Sequence, residues 1–122
     1  MRRVVVTGIG AVTPIGVAAR GLWEGLRAER SAVRMLDRFD TSALRSRTAA
    51  QVDGFVPTDH LEAKRAKRLD RFGHFSVVAA RLAAEDAAID LAREDRERVG
   101  AMMGTALGGV GFAEEQYHAF FD

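Results

Sequence analysis

Hydrophobic residues occur along this chain in two ways, as short continuous runs and at helical spacing. Residues 4–6 are three consecutive valines followed by Thr7 and Gly8, which is typical of a short strand buried on both faces of a parallel sheet. A second apolar run, residues 99–103, leads into glycine in the same way. Each run therefore predicts a strand that ends at a glycine turn.

The first predicted helix extends from about residue 17 to residue 28. The apolar residues that recur there at helical spacing are Ala19, Leu22, Trp23 and Leu26. Gly21 and Gly25 lie inside this helix, where glycine costs about 1 kcal/mol relative to alanine. We therefore expect the helix to pack closely against another stretch of backbone.

A longer helix is predicted around the alanine-rich run of residues 79–84, because small side chains and high helix propensity favour a closely packed helix. One face of this helix carries Phe72, Phe75, Ala79, Leu82 and Ile89. A last helix is predicted from the spacing of Phe112, Gln116, Tyr117, Phe120 and Phe121.

The stretch from residue 31 to residue 60 is less regular. Asp40, Thr41 or Ser42 could cap a helix, and residues 48–52 are predicted to form a short strand. The order strand, helix, helix, strand, helix indicates an α/β fold. Because two strands cannot bury one another fully, we expect residues 1–122 to be an incomplete domain that needs further strands.

Composition narrows the functional classes. Of the 122 residues, 48% are hydrophobic and 29% are charged, as in soluble globular proteins. No apolar run approaches the roughly 18 residues that span a bilayer, and the run at residues 4–6 is too short for a signal-peptide core, so a cytoplasmic location is expected. The absence of cysteine excludes a disulfide, a thiolate metal site or a cysteine nucleophile within these residues. The three histidines lack metal-ligand spacing, so no metal is expected.

Two glycine motifs invite a nucleotide-binding interpretation. Gly8-Ile9-Gly10 begins like a dinucleotide fingerprint, but Thr13 replaces the third glycine, so a structural turn is favoured over an NAD-dependent oxidoreductase. Residues 104–111, named here the glycine-rich loop, lack the Gly-Lys-Ser/Thr ending of a P-loop. This loop is either a plain connection or a mobile wall beside a pocket.

One local cluster of charge stands out against a net charge of +1. Residues 64–71 contain five cations and one anion. If this segment is helical, one side of it carries Lys64, Lys67, Arg68 and Arg71. Since no exposed aromatic residues interleave with them, nucleic acid is disfavoured, and a solvated face or an acidic protein partner remains.

Residues 4–16 resemble the amino-terminal signature of β-ketoacyl-acyl carrier protein synthases. Trp23 and residues 39–42, 67–72 and 104–109 follow in the family's order. The resemblance covers essentially all 122 residues but only the first part of the family's chain, and it is greatest to the type II elongating enzymes and their polyketide relatives. It implies a partial thiolase-like fold, the first part of an amino-terminal αβαβα half.

The resemblance also implies an acyltransferase activity in the full-length protein. In this family a cysteine takes an acyl group from acyl carrier protein, and two histidines assist the decarboxylative Claisen condensation with a malonyl thioester. These residues and the family's lysine are expected after residue 122, so no catalytic residue is assigned here. The family implies no cofactor, and it implies a homodimer or paired heterodimer.

Two sets of site residues carry over from the resemblance. Lys64, Lys67 and Arg68 match basic residues that receive the acidic helix of acyl carrier protein, and Arg65 adds a further cation. Leu107 matches an apolar gate at the floor of the acyl pocket. The alternatives are a non-condensing partner subunit that sets chain length and a noncatalytic carrier-protein-binding module.

Overall fold

The computed structural model describes residues 3–122. Within them the chain forms four short strands and four α-helices. The strands are Val12–Thr13 (β1), Gly16–Val17 (β2), Val33–Met35 (β3) and Thr48–Ala50 (β4). The helices are Ala18–Arg27 (α1), Ala63–Ala66 (α2), Arg71–Asp86 (α3) and Val110–Phe121 (α4), with 3₁₀ turns at Pro57–Asp59 and Arg96–Arg98. No helix in this part of the chain is long and apolar enough to cross a membrane.

The strands form two separate antiparallel pairs. Strands β1 and β2 make a tight hairpin in which Val12 lies opposite Val17. Strands β3 and β4 pair with Val33 opposite Ala50, so the strand predicted within residues 48–52 is confirmed at Thr48–Ala50. The predicted cap at residues 40–42 instead forms a turn, in which Asp40 accepts hydrogen bonds from the backbone N–H and hydroxyl of Ser42, and no helix follows.

The strands predicted at residues 4–6 and 99–103 are not formed, so both predictions are wrong for this chain. A strand is stabilised by backbone hydrogen bonds to a neighbour, and within residues 3–122 neither run is bonded to another extended segment. Val4 is 95% exposed and Met102 is 98% exposed. The second run nevertheless lines a cleft of about 690 Å³ together with Thr7, Gly8 and helix α3, so it lies beside the glycine turn that follows the first run.

Helix α1 confirms the first predicted helix. The backbone N–H of Ala18 donates to the carbonyl of Ala11 at 2.8 Å, which joins the helix to the preceding hairpin. A Cβ atom added at Gly25 would lie 2.1 Å from the carbonyl oxygen of Ile15. The close packing expected of this helix therefore occurs, and it requires glycine at position 25.

Helix α3 confirms the long predicted helix, although Ile89 lies beyond its last residue, Asp86. Its buried Val78 forms the core with Leu61 and Ala66 of the α2 region. The partly buried residues packed around this core are Val12, Phe55, Leu69, Val77 and Leu82. The core is small, and α3 contributes its most buried residue, Val78.

The Gly8-Ile9-Gly10 motif packs directly on helix α3. A Cβ at Gly8 would lie 2.3 Å from the carbonyl oxygen of Ala83, and one at Gly10 would lie 1.9 Å from that of Ala79. Between the two glycines, the N–H of Ile9 donates to the side chain of Asp86 at 2.8 Å. The glycines therefore allow a backbone segment to lie against a helix, and no helix begins at this motif.

Helix α4 confirms the last predicted helix, and its aromatic face is open. Phe120 is 80% exposed and Phe121 is 77% exposed, with their rings edge to face at 5.1 Å. A shallow cleft of about 520 Å³ runs along this face between Phe112 and Phe121. Nothing else in residues 3–122 lines that cleft.

A polar cluster ties the β3–β4 pair together. Arg34 on β3 forms ion pairs with Asp37, at 3.0 Å, and with Asp53. The buried Gln51 side chain donates to Asp37 at 3.1 Å. This hydrogen bond, assisted by the charge of Arg34, holds the pKa of Asp37 below its usual value.

Substitution of Gly10 by alanine should destabilise the protein, because the new methyl group must displace the backbone of α3 at Ala79. We expect a loss of about 1–3 kcal/mol, or more, in the free energy of unfolding. Gly111→Ala is the matched control, because no atom lies near its added Cβ and alanine favours the helix there. In urea denaturation, the midpoint of Gly10→Ala should lie below that of wild type, and the midpoint of Gly111→Ala should lie at or above it. Equal midpoints for the two variants would contradict the close packing at Gly10.

The Asp37 cluster should make stability depend on pH. Because the pKa of Asp37 is lowered in the folded state, its stabilisation is present above the unfolded pKa of about 3.9 and is lost as the pH falls through the folded value. The difference in urea midpoint between wild type and Asp37→Asn should therefore be greatest near neutral pH. It should shrink below about pH 4. A difference that is constant with pH would show that the Asp37 charge contributes nothing.

Candidate functional site

The basic residues singled out by the sequence lie on an interrupted helix. Lys64 is in the four-residue helix α2, Lys67 is its C-terminal cap, and Arg68 follows in the turn before α3. The single continuous helix that would place four cations on one side is therefore not formed. Asp70 begins a new helix instead, with Arg71 as its first residue.

Arg71 is half-buried and is set apart from the exposed cations of residues 64–68. Its guanidinium lies 4.7 Å from the centre of the Phe75 ring and donates to the carbonyl of Val52 at 2.7 Å. Partial burial lowers the pKa of Arg71, but an arginine remains charged at neutral pH. The planar cation therefore packs the α3 start against the segment that follows β4.

The other four cations face solvent, and we name residues 64–68 the basic segment. Lys64, Arg65, Lys67 and Arg68 are all exposed. Within residues 3–122, no carboxylate forms an ion pair with any of them. Four uncompensated positive charges in five residues create a local field that favours an anionic partner.

Side chains of α3 hold the basic segment in place by hydrogen bonds to backbone carbonyls in and before α2. The ring Nε2 of His74 is 2.8 Å from the carbonyl oxygen of Ala66, at the end of α2. Arg81 donates to the carbonyl of His60 at 2.8 Å. His60 in turn stacks on the Phe55 ring at 5.3 Å. His60 and His74 thus have packing roles. The hydrogen bonds from α3 and the contact of His60 with Phe55 hold the backbone that carries the cations.

A cleft of about 560 Å³ joins the basic segment to the glycine-rich loop. Its lining residues are Lys67, Arg68, Leu69, Asp70, Phe72, Gly73, Gly109 and Phe112. Its lining combines the cations Lys67 and Arg68 with apolar side chains, among them Phe72 and Phe112. The sequence-predicted docking residues and the glycine-rich loop are therefore neighbours in the structure, although about 40 residues separate them.

Asp70 connects the two walls of this cleft. One carboxylate oxygen accepts from the N–H of Arg71 at 2.5 Å, and the other accepts from the N–H of Phe112 at 3.3 Å. A Cβ added at Gly109 would lie 2.7 Å from that second oxygen. Asp70 is not among the site residues predicted from the sequence. An aspartate shortly before Phe72, the first apolar residue of the helical pattern, is a signal for a capping role, but nothing in the sequence indicates the second bond.

The glycine-rich loop turns sharply before α4. Gly108 has a φ of +64° and donates its N–H to the hydroxyl of Thr105 at 3.0 Å. Leu107 stands between them and is 81% exposed. Its expected place at the floor of an acyl pocket stays a prediction, and none of the clefts described above is lined by it.

Among residues 3–122, no three histidine, aspartate or glutamate side chains are grouped so that they could hold a metal ion.

Comparison with known proteins identifies the family. Residues 1–120 match the family described as beta-ketoacyl synthase, N-terminal domain. The match covers nearly the whole chain, so the chain belongs to the β-ketoacyl synthase family.

Curated relatives are similar over nearly the whole chain. A 3-oxoacyl-(acyl-carrier-protein) synthase 2 from Synechocystis sp. is 39% identical over 99% of this chain and 29% of its own length. A protein of Streptomyces halstedii, provisionally named polyketide beta-ketoacyl synthase 1, is 45% identical over 95% of this chain and 28% of its own length. The chain thus spans less than a third of the length of these relatives.

Two solved structures have the same fold in this region. The ishigamide ketosynthase/chain length factor superposes with a TM-score of 0.73 and 32% identity, over 99% of this chain and 31% of that one. A beta-ketoacyl synthase from Burkholderia phymatum superposes with a TM-score of 0.60 and 32% identity, over 76% of this chain and 23% of that one. The predicted partial thiolase-like α/β fold is confirmed by these ketosynthases.

Proposed function

We propose that this chain is the amino-terminal part of a 3-oxoacyl-acyl carrier protein synthase that elongates acyl chains in fatty-acid or polyketide biosynthesis. The observation that carries the proposal is the match of residues 1–120 to the family's N-terminal domain. The relatives named as a 3-oxoacyl-(acyl-carrier-protein) synthase 2 and a polyketide beta-ketoacyl synthase, 39% and 45% identical, support the reaction class. In keeping with this class, we also propose a cytoplasmic location and a dimeric assembly.

The proposed reaction is a decarboxylative Claisen condensation. A cysteine thiolate displaces the carrier-protein thiol from an acyl thioester, which leaves an acyl-enzyme. Loss of carbon dioxide from a malonyl thioester then gives a carbanion equivalent that attacks the acyl carbonyl, and the cysteine leaves as thiolate. A thiolate is intrinsically nucleophilic, and preorganised donors stabilise the oxyanions formed on the way.

We propose that the residues performing this chemistry lie in the portion of the relatives that follows the segment matched here. The chain has no cysteine, so the acyl-enzyme cannot form on it. The contribution of residues 1–122 is then to receive the carrier protein and to form part of the acyl pocket.

The direct test is to assay the whole protein with acyl- and malonyl-carrier thioesters. A protein that folds but releases neither carbon dioxide nor 3-oxoacyl product contradicts the proposal.

A second candidate is the chain-length partner subunit, because one structural relative is a ketosynthase/chain length factor. Such a subunit keeps the fold and lacks the nucleophilic cysteine. The residue found at the family's cysteine position discriminates the two, and so does activity of the whole protein in the absence of a second subunit.

The basic segment is the proposed docking site for acyl carrier protein, through Lys64, Lys67 and Arg68. Its support is physical, since these side chains are exposed and unpaired within residues 3–122. Surface charges of this kind steer an acidic partner into place and contribute less as salt is added. Arg65 adds a fourth cation to the same surface.

Reversal of charge at two of these positions, Lys64→Glu with Lys67→Glu, should weaken docking. We expect kcat/KM for the malonyl-carrier substrate to fall about three- to tenfold at low salt, with the difference from wild type shrinking in high salt. Activity on a malonyl-coenzyme A thioester, which needs no carrier protein, should be unchanged. Arg93→Glu is the control, because Arg93 is exposed and lies outside the basic segment. Equal losses on both thioesters would argue against carrier docking here.

Leu107 is the proposed gate of the acyl pocket. A branched apolar side chain can admit or block a growing chain by changing its rotamer, and alanine cannot block it. Leu107→Ala in the whole enzyme should therefore shift the products toward longer chains. Mass spectrometry of the released acyl groups measures the shift, and an unchanged product distribution rules out the gate role. Met102→Ala is a control for loss of an exposed apolar side chain nearby.

A further inference from the structure

Asp70 makes two backbone contacts that lie far apart in sequence. Its Oδ1 accepts from Arg71 N–H at the start of α3, and its Oδ2 accepts from Phe112 N–H in the first turn of α4. The second contact crosses 42 residues. One carboxylate therefore serves the amino-terminal ends of two helices.

Both carboxylate oxygens are needed for this arrangement. An aspartate presents two acceptors, whereas an asparagine presents one acceptor and one donor, and a serine hydroxyl is too short to reach both helices. Asparagine and serine are nonetheless as good as aspartate at capping a single helix. The bond to Phe112 can therefore be removed while the cap of α3 is kept.

The position of Asp70 relates this contact to both parts of the candidate site. Arg68 of the basic segment lies two residues before Asp70. Leu107 lies two residues before Gly109, the N-terminal cap of α4, where an added Cβ would lie 2.7 Å from the Asp70 carboxylate. Lys67, Arg68, Asp70 and Gly109 all line one cleft. Asp70 is therefore the side chain whose hydrogen bonds join the segment that follows the cations to the start of α4.

We propose that Asp70 is a positioning residue that couples carrier-protein docking on the basic segment to the position of the glycine-rich loop. The proposal rests on the proposed function for the roles of the docking cations and of Leu107. Within it, Asp70 touches neither substrate nor carrier protein. Asp70 sets the position of Leu107 in the glycine-rich loop. Docking of the carrier protein at Lys67 and Arg68 moves or steadies Asp70, and with it the loop.

The test compares Asp70→Asn and Asp70→Ser with wild type in the whole protein, by hydrogen exchange of the peptide covering residues 105–113. Without carrier protein, both variants should exchange there about two- to tenfold faster than wild type, as expected for loss of one hydrogen bond. Asp95→Asn is the matched control, because it removes an exposed carboxylate that caps only a local turn. Exchange equal to wild type in the Asp70 variants overturns the proposal.

Adding acyl carrier protein tests the coupling itself. In wild type, carrier protein should slow exchange at residues 64–68 and also at residues 105–113. In Asp70→Asn it should protect the first segment only, and the product distribution should shift in the same direction as in Leu107→Ala. Protection of both segments in the variant, or an unchanged product distribution, contradicts coupling through Asp70.

The two proposals fail in different ways. If carrier protein protects neither residues 64–68 nor residues 105–113 of wild type, both the docking proposal and the coupling proposal are wrong. If the wild-type enzyme does not condense its substrates, the proposed reaction falls, and the protection pattern still decides the coupling. A merely structural role for Asp70 predicts that the melting temperature and the product distribution respond together. Because serine keeps the α3 cap, we expect Asp70→Ser to melt near wild type while residues 105–113 lose protection and the product distribution shifts; a lowered melting temperature with unchanged products would show a structural role alone.

Discussion

Helix α3 can organise the described residues only because two glycines allow backbone to lie directly against it. At Gly8 and Gly10 a side chain would overlap the helix carbonyls, and the N–H of Ile9 between them is satisfied by Asp86. The segment from residue 8 to residue 10 is thereby held at one distance from α3. From there the chain passes into the β1–β2 hairpin and helix α1, so the placement of the whole amino-terminal part follows from this contact.

The same helix supports the candidate site at its other end. His74 bonds to the carbonyl of Ala66, the last residue of α2, and Arg81 bonds to the carbonyl of His60, which precedes α2. Asp70 caps α3 and also accepts a hydrogen bond from α4. The basic segment therefore has little regular structure of its own and is held by its neighbour. A four-residue helix is too short to be stable alone, so the exposure of its cations depends on α3.

The helices could be predicted from the sequence because their information is local. Regular spacing of Leu22, Trp23 and Leu26 was sufficient for α1, and the alanine-rich run was sufficient for α3. The valine run at residues 4–6 carries equally clear local preference, but a strand also needs a neighbour, and pairing is not encoded in a single run. The cations of the basic segment were found from composition, whereas the break before Asp70 and its bond to Phe112 arise from tertiary contacts that spacing does not reveal.

The open aromatic face of α4 has a consequence for how this segment folds. A helix of 12 residues is marginal in water without tertiary packing. Within the described residues, α4 is held near its first turn, by the hydrogen bond of Phe112 to Asp70 and by the cleft that Phe112 shares with Leu69 and Phe72. Its order is thus conditional on burial of Phe120 and Phe121, which are among the most exposed large apolar side chains. During synthesis, the segment is expected to become fully ordered late, and until its aromatic face is covered it exposes hydrophobic surface of the kind that promotes aggregation.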